Sequence, residues 1–321
     1  MKAVVYTRYG GPDVLRLAEI PAPVPDGREI LIRVHAAEAT KSDCELRSLR
    51  FPVMWTRPMM RLVIGVRRPR RHVLGGYFAG EVVSVGERVT RFAAGDQVYG
   101  SAGLRLGAYG EYVVLPGDAA LAAKPRNMTY VEAAAVPLGG LNALHFMRRA
   151  RIQPGEQVLI NGAGGSIGSH AVQIARAMGG HVTAVDHHIK EDLVRRLGAT
   201  DFLDYTAGDV TDTGRRFDVI FDMVADSPYR RLLGMLQPGG RYLNGNPRLS
   251  VMVRSVSTRN VTVAFAPETP EALTALAEMI EAGQIHSIVD RVYPMAEVAV
   301  AHRRVESEQR LGAVVISLSE Q

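Results

Sequence analysis

The chain has 321 residues, 47% hydrophobic and 22% charged, with 32 glycines and 17 prolines; that length favours two domains of about 100–200 residues, and that balance excludes disorder, collagen and coiled coil. A single cysteine, Cys44, excludes an internal disulfide and any multi-thiolate zinc or iron–sulfur site, and a reducing compartment fits it. The net charge of +5 attracts anions without choosing among nucleic acid, lipid and dinucleotide phosphate.

In chain order, Lys2-Ala3-Val4-Val5-Tyr6 reads as a strand rather than a secretory signal. Arg61, Arg67 and Arg68 interrupt the best apolar stretch, so no membrane span is expected and a cytoplasmic location is. Short β-rich runs at Ala3–Tyr6, Ile30–Ala36, Glu81–Val85, Gln97–Tyr99 and Glu111–Leu115, separated by turn clusters such as Gly10-Gly11-Pro12 and Ala94-Gly95-Asp96, predict a small barrel or sandwich. From Thr129 the texture changes to an Ala- and Leu-rich stretch, Val131–Arg149, and then to alternating strands and helices. Strands are placed at Gln157–Asn161, His181–Asp186, Phe202–Leu203, Val219–Asp222 and Arg241–Asn244, with helices near 166–178, 190–197 and 229–236. This alternation predicts an α/β, doubly wound parallel sheet, extended by a strand near Val261–Phe265 and a helix at Pro270–Ala282. The apolar run Ala313-Val314-Val315-Ile316 is expected to return to the first domain.

Gln157-Val158-Leu159-Ile160 leads into Asn161-Gly162-Ala163-Gly164-Gly165-Ser166-Ile167-Gly168, followed by helical composition. Strand, glycine turn and helix in that order suit a pyrophosphate: the glycines admit close backbone approach, and the N–H groups and dipole of the helix start offset its charge. Asp186 ends the next strand about 20 residues on, where an acid accepts hydrogen bonds from an adenosine ribose. A plain tight turn and a strand-end cap are the structural alternatives, and a methyltransferase presents the same pair.

Several segments together resemble the medium-chain dehydrogenase/reductase superfamily, and within it the zinc-free quinone oxidoreductases and related NAD(P)-dependent reductases. They are Met1-Lys2-Ala3-Val4-Val5 with Gly11-Pro12-Asp13-Val14-Leu15, Phe78-Ala79-Gly80-Glu81-Val82-Val83-Ser84-Val85-Gly86, Gly95-Asp96-Gln97-Val98-Tyr99-Gly100, Gly110-Glu111-Tyr112, Ala133-Ala134-Ala135-Val136-Pro137-Leu138, the glycine loop, Leu236-Gln237-Pro238-Gly239-Gly240, and Ala301-His302 through Gly312. The match covers nearly the whole chain, and its order and spacing make it specific. The resemblance implies a GroES-like β-barrel domain over 1–124, completed by 285–321, and a Rossmann dinucleotide-binding domain over 125–284, with the active site in the cleft joining them.

The zinc-dependent alcohol dehydrogenases of this superfamily hold catalytic zinc by a Cys, a His in a Gly-His-Glu run, and a further Cys or acid. The corresponding positions here are Thr40, Gly76 with Tyr77, and the region of Gly139-Gly140, while Cys44 is offset from the ligand position. No zinc is therefore expected, and without that Lewis acid the substrate must already be activated, as quinones and α,β-unsaturated carbonyls are. The resemblance places Lys41, Ser42 and Tyr77 near the cleft as donors; a turn at Ser42-Asp43, a solvated lysine and a core tyrosine are the structural readings. It places Asn142 and Tyr205 by the cofactor and Asn244 and Asn246 on its nicotinamide side, with a solvated helix residue, a strand-end aromatic and loop amides as alternatives.

Asp186 favours NADH over NADPH, because a carboxylate repels a 2′-phosphate; His187, His188 and Lys190 keep NADPH as the alternative. Between Leu46 and Gly80 there is no acid but there are eight arginines, Arg47, Arg50, Arg57, Arg61, Arg67, Arg68, Arg70 and Arg71, interleaved with Phe51, Val53, Met54, Trp55, Met59, Met60, Leu62, Val63 and Ile64. A solvated face, a substrate lid and weak contact with an anionic surface are the readings of Arg47 to Arg71. A small-molecule substrate and a homodimer built on the Val261–Phe265 edge are expected. The rival from another class is a nucleotide-sensing or nucleic-acid-binding protein without turnover.

Overall fold

The computed structural model describes residues 1–51, 61–62, 64–246, 251–253 and 260–318. Val53, Met54, Trp55, Arg57, Met59, Met60 and Val63 of the basic stretch lie outside them. In chain order the strands are β1 (Lys2–Val5), β2 (Arg16–Glu19), β3 (Glu29–Ala39), β4 (Tyr77–Val85), β5 (Gln97–Ser101), β6 (Tyr112–Pro116), β7 (Leu121–Ala123), β8 (Gln157–Asn161), β9 (His181–Asp186), β10 (Asp201–Asp204), β11 (Phe217–Asp222), β12 (Leu236–Asn244), β13 (Val261–Val263), β14 (Val289–Pro294) and β15 (Ala313–Ser317). The helices used below are α1 (Lys41–Ser48), α2 (Tyr130–Ala134), α3 (Pro137–Ala150), α4 (Ser166–Ala177), α5 (Glu191–Arg196), α6 (Tyr229–Leu233), α7 (Pro270–Glu281) and α8 (Val298–Glu306).

Two compact units result: Met1–Leu138 with Glu268–Ala282 and Ser287–Gln321, and Gly139–Pro267 with Gly283–His286. In the first, a seven-stranded sheet runs β14-β15-β3-β4-β5-β7, with β6 also pairing β3. The long strand β3 is its spine, because alternate residues Ile30, Ile32 and Val34 bury one face against Phe78, Val82, Val98, Val113 and Leu115. The apolar run near the C-terminus returns as expected: Val314, Val315, Ile316 and Ser317 pair antiparallel with Ala39, Glu38, Ala37 and Ala36. This is the GroES-like domain.

The second unit is a parallel sheet of order β10-β9-β8-β11-β12-β13, a Rossmann-like arrangement. The chain starts in the middle at β8, builds outward to β10, then crosses back to β11, so strand order reverses between β8 and β11. Ligands settle at the carboxyl ends of strands at such a switch point. Asn161 and Asp222 end those two strands in register.

Several expectations change. Helix α7 does not extend the parallel sheet; it groups with the first unit, where Tyr99 Oη donates to Leu273 O at 2.6 Å and Asn127 Nδ2 to Ile280 O at 3.1 Å. The helix expected near 229–236 stops at Leu233, because β12 already begins at Leu236 and carries Gln237-Pro238-Gly239-Gly240 inside it. Gly239 there has φ +82°, and the β11–β12 register shifts between Phe217 and Val219. Arg47 does not belong to a surface patch: it is 1% exposed and ion-paired with Glu306.

Candidate functional site

In the parallel-sheet unit the glycines of the loop after β8 differ in what they do. Gly162, at φ +84°, makes the turn that ordinary side chains resist. At Gly168 a Cβ would lie 2.1 Å from Gly162 O and 2.6 Å from Ala163 Cα, so this glycine lets α4 pack on the strand. Gly165 is neither strained nor crowded: φ is −83° and a Cβ would meet only Gly162 O, at 3.7 Å. The space over Gly165 is a cradle that a side chain would fill. Beside it Ser166 opens α4, its Oγ buried with no hydrogen-bond partner, and the first-turn N–H groups of Ser166 and Ile167 have no preceding helical carbonyl. Ala163 N anchors the loop to Val185 O at 3.2 Å. A diphosphate fits this combination of open space, orphan donors and helix dipole.

Asp186 is placed beside that loop but is turned inward. Its carboxylate accepts from Gly164 N and His187 N, each at 2.8 Å, and pairs with Lys190 Nζ at 3.0 Å, with both side chains nearly buried. Lys190 lies over Gly164, where a Cβ would stand 2.5 Å from its Cδ. Around this pair the rings of His187, His188 and Tyr205 gather, His187 lying 4.2 Å from His188 and 6.1 Å from Tyr205 between centroids. The sequence residues assigned to the adenosine end are therefore brought together, with Tyr205 55% exposed.

Gly139 brings α3 against α4, since a Cβ there would sit 2.4 Å from Ser166 O and 2.6 Å from His170 Nδ1. Asn142 lies three residues on, on the same face of α3. Asn244 is 3% exposed and its amide is engaged inward, Nδ2 to Tyr242 Oη at 3.3 Å and Oδ1 accepting from Asn246 N at 2.9 Å. Both asparagines thus shape the end of β12. Asp222, missed in the sequence, is the hub there: fully buried, it accepts from Asn161 Nδ2 and Val224 N at 3.0 Å and from the hydroxyls of Ser227 and Tyr242. Burial raises its pKa, and these donors oppose the rise. An acid ending a strand beside the glycine strand was the available signal.

In the first unit a second helix start carries Lys41 and Ser42. Thr40 caps α1 in a capping box: its Oγ1 accepts from Asp43 N at 3.0 Å, while Asp43 Oδ2 accepts from Thr40 N at 3.0 Å and from Thr40 Oγ1 at 2.6 Å. Asp43 Oδ1 also accepts from Gly75 N at 3.0 Å, so one buried carboxylate joins α1 to the segment that enters β4. Gly75 sits at φ +95° with Tyr109 pressed so close that a Cβ would stand 2.6 Å from its ring. Behind Asp43, Tyr109 Oη lies 3.1 Å from His302 Nε2, and Arg47 Nη1 lies 3.2 Å from His302 Nδ1. The guanidinium can only donate, so Nδ1 accepts, Nε2–H faces Tyr109, and the Tyr109 hydroxyl is left for Asp43. Burial and Arg47 keep His302 neutral, its pKa lowered to about 3. Burial raises Asp43 against its hydrogen bonds.

Lys41 and Ser42 stay exposed at the mouth of this helix, Lys41 Nζ pairing with Glu308 Oε1 at 2.6 Å. Tyr77 Oη donates to Glu268 Oε1 and Ser101 Oγ to Glu268 Oε2, both at 2.6 Å. Burial and Glu268 raise the Tyr77 pKa. Glu268 was not legible in the sequence because it lies 191 residues from Tyr77. Thr40, Gly76 and Tyr77 offer no thiolate, imidazole or carboxylate to a zinc ion. Cys44 points away into the core, 3.4 Å from His302 Nδ1, its thiol pushed up to about 12 by burial. Among the described residues no three His, Cys, Asp or Glu side chains gather as metal ligands. Thr40, Gly76 and Tyr77 therefore do not reproduce the ligand set of a catalytic zinc.

Residues 26–126 match the alcohol dehydrogenase GroES-like domain, and residues 197–316 match the zinc-binding dehydrogenase family. The mitochondrial NAD(P)H oxidoreductase RTN4IP1 of Danio rerio is 30% identical over 100% of this chain and 92% of its own length. A quinone oxidoreductase of Pseudomonas aeruginosa is 30% identical over 98% of this chain and 99% of its own. The solved quinone oxidoreductase of Coxiella burnetii superposes with a TM-score of 0.87 at 25% identity, covering 99% of each chain.

Proposed function

The chain belongs to the medium-chain dehydrogenase/reductase superfamily, in its quinone oxidoreductase-like branch, and from that premise we propose a zinc-independent NAD(P)H oxidoreductase that passes hydride to a quinone or an α,β-unsaturated carbonyl. The observation that carries the reading is the open cradle over Gly165 beside the partnerless buried Ser166 Oγ at the start of α4. Gly162 to Gly168 hold the diphosphate, and Asp186, His187, Lys190 and Tyr205 surround the adenosine end. Asn142, and Asn244 with Asn246, flank the other half. The nicotinamide supplies the hydride.

The substrate needs its developing oxyanion held. Ser42 Oγ, the Lys41 ammonium and the first-turn N–H groups of α1 do this without a metal, because a helix N-terminus and a cation both favour negative charge. Asp43 keeps that helix start fixed to the Gly75-Gly76-Tyr77 segment. Lys190 cancels most of the charge with which Asp186 would repel a 2′-phosphate, so both NADH and NADPH are accepted and the pair sets their ratio. The edge strand β13, with Phe265 69% exposed beyond it, supports a homodimer by edge pairing. The lone buried thiol suits the reducing cytoplasm.

The test is steady-state reduction of 9,10-phenanthrenequinone and of trans-2-hexenal with each cofactor. Turnover with at least one acceptor is expected. Tight cofactor binding with no oxidation of either nicotinamide would instead establish the nucleotide-sensing alternative.

A further inference from the structure

The reductase reading leaves the basic stretch unused, and its described part is a built surface. Ile64 and Pro69 are buried anchors. Tyr9 Oη donates to Gly65 O at 2.7 Å and Ile64 O at 3.2 Å, Arg70 N donates to Ile64 O at 2.8 Å, and Tyr6 N donates to His72 O at 2.9 Å. Gly65 takes φ +121° where a Cβ would stand 2.0 Å from Arg68 O, so the loop folds tightly back on itself. Outward from these anchors stand Arg61, Arg67, Arg68, Arg70 and Arg71, all exposed. Among the described residues none of them has an acidic partner. Burial raises the pKa of the Tyr9 hydroxyl, and nearby Arg61 and Arg70 oppose that rise. Leu62 and Val66, 65% and 55% exposed, stand among these cations.

We propose that this loop, residues 61–62 and 64–72, docks on the surface of an anionic lipid bilayer. A solvated charged face does not need exposed aliphatic side chains, and a groove for single-stranded nucleic acid uses aromatic rings to stack bases; residues 61–72 contain no Phe, Tyr or Trp. Arginines interleaved with aliphatic residues match the boundary of headgroup and acyl chain, where the cations meet lipid phosphates and carboxylates and the apolar tips enter shallowly. The loop is already ordered by its anchors, so binding costs little conformational entropy.

The experiment is flotation of the full chain with vesicles of phosphatidylcholine alone and of phosphatidylcholine with about 30% phosphatidylserine. Binding to the second and not the first is expected, falling steeply as salt rises. The variant Arg67→Glu/Arg68→Glu/Arg70→Glu/Arg71→Glu, with unchanged circular dichroism, is expected to bind at least about a hundredfold more weakly. Leu62→Asn/Val66→Asn is the second variant, expected to weaken binding about tenfold while leaving its salt dependence intact. Equal binding to neutral vesicles, unaltered binding by both variants, or tighter binding to a single-stranded oligonucleotide than to the anionic vesicles would overturn the proposal.

Discussion

Two helix starts, α4 in the parallel-sheet unit and α1 in the barrel-type unit, are pinned by the same device in opposite electrostatic settings. At each, an aspartate reaches across to a backbone N–H of a glycine, Asp186 to Gly164 and Asp43 to Gly75. Asp186 has a cation on it, Lys190. Asp43 is 2% exposed and receives hydrogen bonds from the neutral groups Thr40 N, Thr40 Oγ1 and Gly75 N. The first can exchange partners when a charged ligand arrives; the second is committed, and removing it leaves orphaned donors. On the proposed function, ligand recognition would sit on the exchangeable clasp and rigidity on the committed one.

The largest expected effect breaks the committed clasp. Asp43→Ala leaves Thr40 N and Gly75 N unsatisfied in the interior and is expected to cost about 3 kcal/mol or more, read as a lowered midpoint in urea. If the loss is no larger than that of an exposed substitution such as Asp118→Ala, the clasp is not structural. Next, Gly165→Val is expected to weaken cofactor binding by about a hundredfold or more in titration calorimetry, with the fold retained, because the protein itself leaves room for the side chain and only the ligand competes for it.

The exchangeable clasp is sharpened by a pair of variants. Asp186→Ser frees Lys190 and is expected to move the NADPH-to-NADH ratio of kcat/KM upward by about ten- to a hundredfold, the value of a charge-assisted hydrogen bond. Lys190→Ala leaves the carboxylate uncompensated and is expected to move the ratio downward. If both variants move it the same way, the pair does not govern selection.

A further effect concerns pH. His302 is depressed in the folded chain to about 3, below its unfolded value of about 6.5. Its contribution is therefore complete above about pH 6.5 and is lost as pH falls toward 3, at up to about 1.4 kcal/mol per pH unit. His302→Gln should flatten that slope in acid unfolding curves. The smallest expected effect is none: prolonged dialysis against a chelator should leave turnover unchanged, and activity lost with a stoichiometric zinc would return the substrate side to metal chemistry.

What was legible in the sequence follows from the range of the interactions. Strands β8 and β9 fall on the expected residues, since a buried parallel strand writes itself as a continuous apolar run between turn residues. The glycine loop was legible for the same local reason. Asp186 was found, but its inward orientation depends on Lys190 closing over Gly164, which spacing does not encode. The Asp43–Tyr109–His302–Arg47 chain and the Tyr77–Glu268 contact join residues up to 255 and 191 positions apart, and no periodicity reports such pairs. Arg47 looked like one of a run of surface cations because the acid that buries it, Glu306, stands in another helix.

Strand β3 is the spine of the first unit, yet one of its edges is closed by β15, which pairs with Ala36 to Ala39 immediately before α1. As the chain emerges from the ribosome, all residues of the parallel sheet, 157–263, precede that closing strand. The parallel-sheet unit can complete its hydrogen-bond ladder while the first unit still shows an open strand edge at the base of α1. On the proposed function, ribosome-bound nascent chains should therefore complete the cofactor-binding sheet before the sheet that carries the acceptor side is closed.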